Sequence, residues 1–159
     1  MSIEFTAIGT IYTPFETKDK MPIQPAAAAG IKGHIILNKE LEAGLTDLDG
    51  FSHIILIYHL HQSSGYSLLT TPFLDTKKRG VFATRAPKRP NPIGISVVRL
   101  LSVDQNRIDF ENADMLNETP LLDIKPYIPD FDFIAEVKTG WYENKKQSLT
   151  NRRSDKRFE

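Results

Sequence analysis

Hydrophobic and polar positions alternate along most of this chain in short runs, and a two-residue period predicts strands rather than helices. Phe5 to Tyr12 is rich in β-branched and aromatic residues and stops at Thr13-Pro14, so it reads as a first strand. Ile31 to Asn38 places Ile31, Ile35 and Leu37 on one face and Lys32, His34 and Asn38 on the other, which predicts a second strand. Asn38 then offers a cap for a short helix over Lys39 to Gly44. Phe51 to His61 is the most hydrophobic stretch and has the length of a strand buried on both faces, so it is the expected central strand. Val81 to Thr84 and Ile95 to Val103 also read as strands; in the second, Ile95, Val97 and Arg99 alternate with Ser96, Val98 and Leu100. Gln105-Asn106 has the form of a hairpin turn, with Arg107 to Asn112 returning from it. Leu121 to Tyr127 reads as extended, and Phe131 to Val137 adds an edge strand.

Two loops interrupt this pattern. Residues 13 to 30 carry Pro14, Pro22, Pro25 and Gly30, and a loop of that length in a small domain is more often functional than idle. Between the strands ending at Thr84 and beginning at Ile95, Pro87, Pro90 and Pro92 fix three backbone angles and remove three donors. Thr84 to Gly94 is therefore a stiffened loop and not a helix. Arg85, Lys88 and Arg89 give it positive charge, Asn91 an amide that donates and accepts, and Gly94 a place where a ligand or neighbouring strand can approach. The residues alone leave both a binding loop and a solvated connector open.

Composition narrows the classes. A chain of 159 residues suits one domain with a real core, and its 20 basic and 20 acidic side chains cancel, so any attraction to nucleic acid must be local. From Thr76 to Val103 there are seven positive residues and no acid; from Asp104 to Asp123 six acids face Arg107 alone. The proline-rich loop lies inside the basic block. There is no cysteine, which excludes disulfides, thiolate metal sites and cysteine nucleophiles. With no leader-like start and no membrane-length apolar run, the chain reads as a soluble cytoplasmic protein. From Glu143 onward six positives, three acids and few apolar residues suggest a charged tail, as a frayed helix or disordered end, following a domain over residues 1–142.

Two further groups are candidates for chemistry. His53, His59 and His61 share one face of the expected central strand, but no carboxylate sits at matching spacing, so no metal is expected; His61-Gln62, polar at the end of a buried strand, faces a pocket instead. Asp123, Lys125 and Tyr127 share one face of the extended segment Leu121 to Tyr127. A carboxylate, an amine and a phenol together are more than packing needs, although an Asp123–Lys125 surface salt bridge would also account for two of them.

Val81-Phe-Ala-Thr-Arg-Ala-Pro-Lys-Arg-Pro-Asn-Pro-Ile-Gly-Ile-Ser96 together with Thr119-Pro-Leu-Leu-Asp-Ile-Lys-Pro-Tyr127 resembles the TsaA/TrmO family, and the resemblance continues in Ile8 to Phe15, Pro22 to Pro25 and Leu48 to His53. It implies a mainly β protein, a small single-domain closed β-barrel with long loops and a short C-terminal extension. It implies S-adenosyl-L-methionine as cofactor, tRNA as partner, a homodimer with the cofactor near the subunit junction, and methylation of the exocyclic amine of threonylcarbamoyl-adenosine beside the anticodon. Carried over by position, cofactor contacts fall on Pro25, Ala26, Ala27, His61, Gln62, Arg85, Ile95 and Asp114. Lys88, Arg89 and Asn91 become the substrate side, and Asp123, Lys125 and Tyr127 the catalytic group. The family commonly has Arg-Gln-Pro-Gly-Leu where this chain has Ile23-Gln-Pro-Ala-Ala27, and Asp-Gly-Thr-Pro where it has Asn117-Glu-Thr-Pro120. Alternatives open at this point are a methyltransferase of the same fold with another, small-molecule acceptor, a non-catalytic RNA-binding domain, and a metal hydrolase built on His59 and His61.

Overall fold

The computed structural model describes residues 1–19, 21–148 and 153–155, the side chains of 144 and 146–148 excepted. Six strands close into an antiparallel barrel: β1 (Gly9–Tyr12), β2 (Lys32–Leu37), β3 (His53–His59), β6 (Ile93–Asp104), β7 (Arg107–Glu111) and β8 (Thr119–Pro126). Around the barrel the order is β1-β2-β7-β6-β3-β8, β8 pairing back to β1. Closure leaves no free sheet edge, so every ladder bond is made within the barrel. A separate two-stranded ribbon joins β4 (Leu69–Thr70) to β5 (Arg79–Gly80).

The alternation read from the sequence is the barrel's inside and outside. Ile11, Ile35, Leu37, Ile54, Leu56, Tyr58, Val98, Ile108, Phe110 and Leu121 all point inward and are buried together. Gly33 is glycine because a Cβ there would lie 2.7 Å from the Phe110 ring. The β6–β7 hairpin turns on Gln105-Asn106 as expected, with Asp104 opposite Arg107 and Gln105 in the left-handed region.

Several expectations are corrected. The central strand is not buried on both faces: Ile54, Leu56 and Tyr58 are buried, whereas Ile55 and Ile57 lie half-buried outside, because a barrel wall covers only its inner face. Val81 to Thr84 is not a strand but a 3-10 turn over Val81–Ala83, closed by the Thr84 hydroxyl and amide donating to the Val81 carbonyl. Phe131 to Val137 is not an edge strand. Pro129 starts the short helix α1 (Pro129–Asp132), the Asp132 carboxylate accepts from the Ile128 amide at 2.8 Å, and the closed barrel offers no edge to pair with. Asn38 does not cap a helix; its amide donates to the Ala7 carbonyl at 3.1 Å, and Lys39–Leu45 winds as 3-10 turns.

The tail expected from residue 143 falls partly outside the described residues. Of what is described, Gly140–Ser148 coils as a 3-10 helix, and Ser154 donates its amide to the Met21 carbonyl at 2.9 Å while its hydroxyl accepts from the Met21 amide at 2.8 Å. Among the described residues no helix is long and apolar enough to cross a membrane.

Candidate active site

The end of β3, the start of β6, the segment after β7 and the start of β8 meet at one end of the barrel, since antiparallel neighbours bring alternate ends together. An open cleft of about 1220 Å³ lies over that end. Its walls come from Tyr58 on β3 and Leu60, His61 and Gln62 after it, from Ile93 to Ile95 and Val97 on β6, and from Asp114 to Leu116 after β7. Two loops add to it: residues 21–26, and Phe82 to Pro87 with Arg89 and Asn91.

The proline-rich loop is stapled shut. Ser63 donates to the Pro87 carbonyl at 2.9 Å, the Ala86 amide donates to the Thr84 hydroxyl at 3.2 Å, and Arg89 donates to the carbonyls of Thr84 and Ala86 at 3.1 and 3.4 Å. Arg85 reaches the other way and donates to the Gln24 side chain at 2.7 Å, tying the two cleft loops together. Gly94 is needed for close approach by a neighbouring strand: an added Cβ would lie 2.3 Å from the Tyr58 ring.

Beneath the cleft, Tyr58, Ser96 and Asp114 form a short hydrogen-bonded chain. Ser96 donates to the Asp114 carboxyl at 2.6 Å and lies 2.9 Å from the Tyr58 hydroxyl. Burial pushes the Asp114 carboxyl up to about 7, against the pull of the Ser96 hydrogen bond. Burial, followed by the Asp114 charge, pushes the Tyr58 phenol far up, so it stays protonated. His61 is held below the ordinary histidine range by burial and then by His59, and its Nδ1 lies 3.4 Å from the Thr119 hydroxyl. The Lys18 ammonium donates to the Gln62 carbonyl at 2.6 Å.

The structure therefore gathers Pro25, Ala26, His61, Gln62, Arg85, Ile95 and Asp114 around one cleft, with Arg89 and Asn91. Ala27 is buried and does not line it; Lys88 is on the same loop but also does not line it. Asp123, Lys125 and Tyr127 lie elsewhere, on the outer face of β8 and just beyond it. Asp123 and Lys125 pair at 2.7 Å with side chains 44% and 59% exposed, and Tyr127 packs edge-on near His53 with ring centres 6.4 Å apart. His53 lies at the strand end remote from His61, and among the described residues no group of three or more His, Cys, Asp or Glu could hold a metal ion.

Sequence reasoning missed Tyr58 and Ser96, although a serine at an inward-facing position of an apolar strand was the available signal. It also missed Trp141, whose indole donates to the Ala83 carbonyl at 2.7 Å, and Ser154 and Asp155, which join the cleft wall from the end of the chain. No local pattern marks those three, because their placement depends on contacts distant in sequence: Trp141 reaches back 58 residues to Ala83, and Ser154 reaches back 133 residues to Met21.

A closed barrel with a loop-walled cleft over one end defines a ligand-binding β-barrel, not a doubly wound nucleotide-binding fold. Residues 10–133 match the family described as the tRNA-methyltransferase O N-terminal domain, and the chain belongs to that family. A probable S-adenosyl-L-methionine-binding protein of Pyrococcus abyssi is 48% identical over 158 residues, covering 99% of this chain and 86% of that protein. Human tRNA (adenine(37)-N6)-methyltransferase is 33% identical over 132 residues, covering 79% of this chain and 30% of the human protein. The crystal structure of TrmO from Pseudomonas aeruginosa superposes with a TM-score of 0.75 at 36% identity, covering 89% of this chain and 63% of that one. The chain thus spans less than two thirds of the human protein and of the Pseudomonas structure.

Proposed function

We propose that this protein is a cytoplasmic, homodimeric methyltransferase that carries a methyl group from S-adenosyl-L-methionine to the exocyclic amine of threonylcarbamoyl-adenosine in tRNA. The observation that carries this reading is the convergence of Pro25, His61-Gln62, Arg85, Ile95 and Asp114, distant in sequence, on one cleft. The cleft fits a nucleoside with a cationic arm. Apolar Ile93, Ile95 and Val97 offer a surface for a base, and the Asp114 carboxyl stands in the wall with no ion-pair partner among the described residues. Its volume also exceeds the roughly 300–1,000 Å³ of ordinary small-molecule pockets, leaving room for the end of an acceptor.

When bound, S-adenosyl-L-methionine supplies a sulfonium-activated methyl carbon for in-line displacement. The chain's own work is then chiefly positioning, which alone removes a large part of such a barrier. Pro25, Ala26 and His61-Gln62 would hold the donor, Arg85 ties the two cleft loops together through Gln24, and the Asp114 carboxyl would offer a partner for positive charge. Arg89 and Asn91 border the acceptor end, with Lys88, Lys77 and Lys78 in the same basic block to meet anticodon phosphates.

The acceptor nitrogen is conjugated to a carbonyl and a poor nucleophile, so removing its proton assists attack. Asp123 and Tyr127 are assigned to that proton and Lys125 to the threonyl carboxylate. Their setting on the outer surface suits a dimer. In cross-strand register Asp123 sits beside Ile57 and Ile57 beside Ile95, so the polar group and the cleft belong to one continuous outer face. Ile95 is 49% exposed there, and Ile93, Val97 and Leu101 are exposed with it. A second copy packed on this face covers apolar surface and brings the partner's Asp123 group toward the cleft.

Incubation with labelled S-adenosyl-L-methionine and tRNA that has or lacks the threonylcarbamoyl group tests the reading. Label is expected only in the modified tRNA; label in neither removes this acceptor.

A further inference from the structure

We propose that Ser96 and Tyr58 are positioning residues that hold Asp114 as a proton-exchanging receptor for a cationic group of the methyl donor, so that donor binding expels one proton. The inference rests on the donor-pocket reading above and deepens it. Its basis is the order of the chain from core to cleft. The Tyr58 and Ser96 residues are 5% and 2% exposed, and the Asp114 carboxyl at their end lines the cleft. A hydroxyl has one proton, so if Ser96 gives its own to Asp114 at 2.6 Å, Tyr58 must donate to Ser96 across 2.9 Å. Both hydroxyls are then spent on fixing one carboxyl oxygen. Buried hydroxyls wired in series toward a cleft are a costly way to fill a barrel end unless the carboxyl must be held in one orientation.

The charges around Asp114 leave a gap for a cation. Arg85 acts on it from the facing loop but gives its hydrogen bond to Gln24; His61, beyond β3, is disfavoured as a cation by its burial. Lys18, Arg89 and Tyr142 also line the cleft, and among the described residues no ion pair to Asp114 is formed. Without a ligand the carboxyl therefore keeps a proton up to about pH 7. A cation placed beside it favours the carboxylate: the carboxyl O–H breaks, the electron pair stays on oxygen, and the proton passes to solvent. Ser96 continues to donate to the carboxylate so formed. Below pH 7 donor affinity then falls about tenfold per pH unit, and above pH 8 it is level.

The full-length protein is titrated calorimetrically in buffers of different ionisation enthalpy at pH 6 and pH 8, with three probes. S-adenosyl-L-methionine carries a sulfonium and an ammonium, S-adenosylhomocysteine only the ammonium, and methylthioadenosine neither. Release of close to one proton at pH 6 and almost none at pH 8 is expected for a cationic probe: with the first probe alone the sulfonium is the group read, with the first two the ammonium. Binding without proton release at pH 6, or equal release with methylthioadenosine, overturns the inference while leaving the donor pocket intact. Binding of none of the three at either pH overturns the donor pocket and the relay with it. Asp114→Asn is expected to abolish the pH dependence. Ser96→Ala and Tyr58→Phe are expected to move its midpoint upward; a uniform loss of affinity at all pH values would mark them as structural only.

Discussion

Glu118 stands at φ 58°, in the left-handed region where a Cβ crowds the following carbonyl. With its Cβ, Glu118 is therefore a strained residue in the turn leading into β8 and the Asp123 group. The neighbours hold it there: Asn117 accepts from the Thr13 amide at 3.1 Å and donates to Glu16 at 3.0 Å, and Thr119 donates to the Leu116 carbonyl at 2.8 Å. Glu118→Gly is expected to raise stability by about 1 kcal/mol in chemical denaturation, the relief of strain exceeding the added freedom of the unfolded chain. A loss of stability would mean that the Glu118 side chain, and not the turn geometry, matters. Arg89 and Asp123 show a second lesson at this scale. A residue type that signals ligand binding in sequence can be satisfied locally, as the Arg89 guanidinium is by Thr84 and Ala86 and the Asp123 carboxylate by Lys125.

At the scale of elements, strand existence was legible because inward and outward positions alternate, and burial depth was not. Ile55 and Ile57 are as apolar as Ile54 and Leu56, so no period separates a strand buried twice from one whose outer face serves another purpose. Leu56→Ala is expected to cost about 2–5 kcal/mol, whereas Leu41→Ala, exposed on the Lys39–Leu45 turns, is expected to cost within about 0.5 kcal/mol in unfolding titrations. A large Leu41 effect would mean that apolarity alone, and not an inward position in the barrel, sets the cost. The proline-rich loop was legible as rigid; that its rigidity comes equally from Thr84, Ser63 and Arg89 required the fold. The misread segments, Val81–Ala83 and Phe131 to Val137, share one cause. Both carry strand-forming residues, but the barrel's six strands already pair with one another, and side-chain bonds from Thr84 and Asp132 close turns instead.

For the whole molecule, the barrel end collects loops that composition could only list, which is why residues gathered at the cleft could be named through family resemblance, whereas Tyr58 and Ser96 beneath it could not. The surface left over also has a use. Phe131 is 77% exposed, and Phe133, Ile134 and Val137 are exposed as well, in addition to the apolar outer face of β6. The chain of 18.0 kDa is expected to sediment as a dimer, and Ile57→Asp, which places charge in the middle of that face without touching the cleft, is expected to sediment as a monomer that still binds the donor but methylates poorly. A monomeric wild type with full activity would contradict the dimer. The central claim is that the cleft over the barrel end is the donor site, and a crystal structure with S-adenosyl-L-methionine tests it most directly. Density bounded by Pro25, His61, Arg85, Ile95 and Asp114, with a cationic atom beside the Asp114 carboxyl, is the predicted result; a ligand bound anywhere else on the barrel would contradict it.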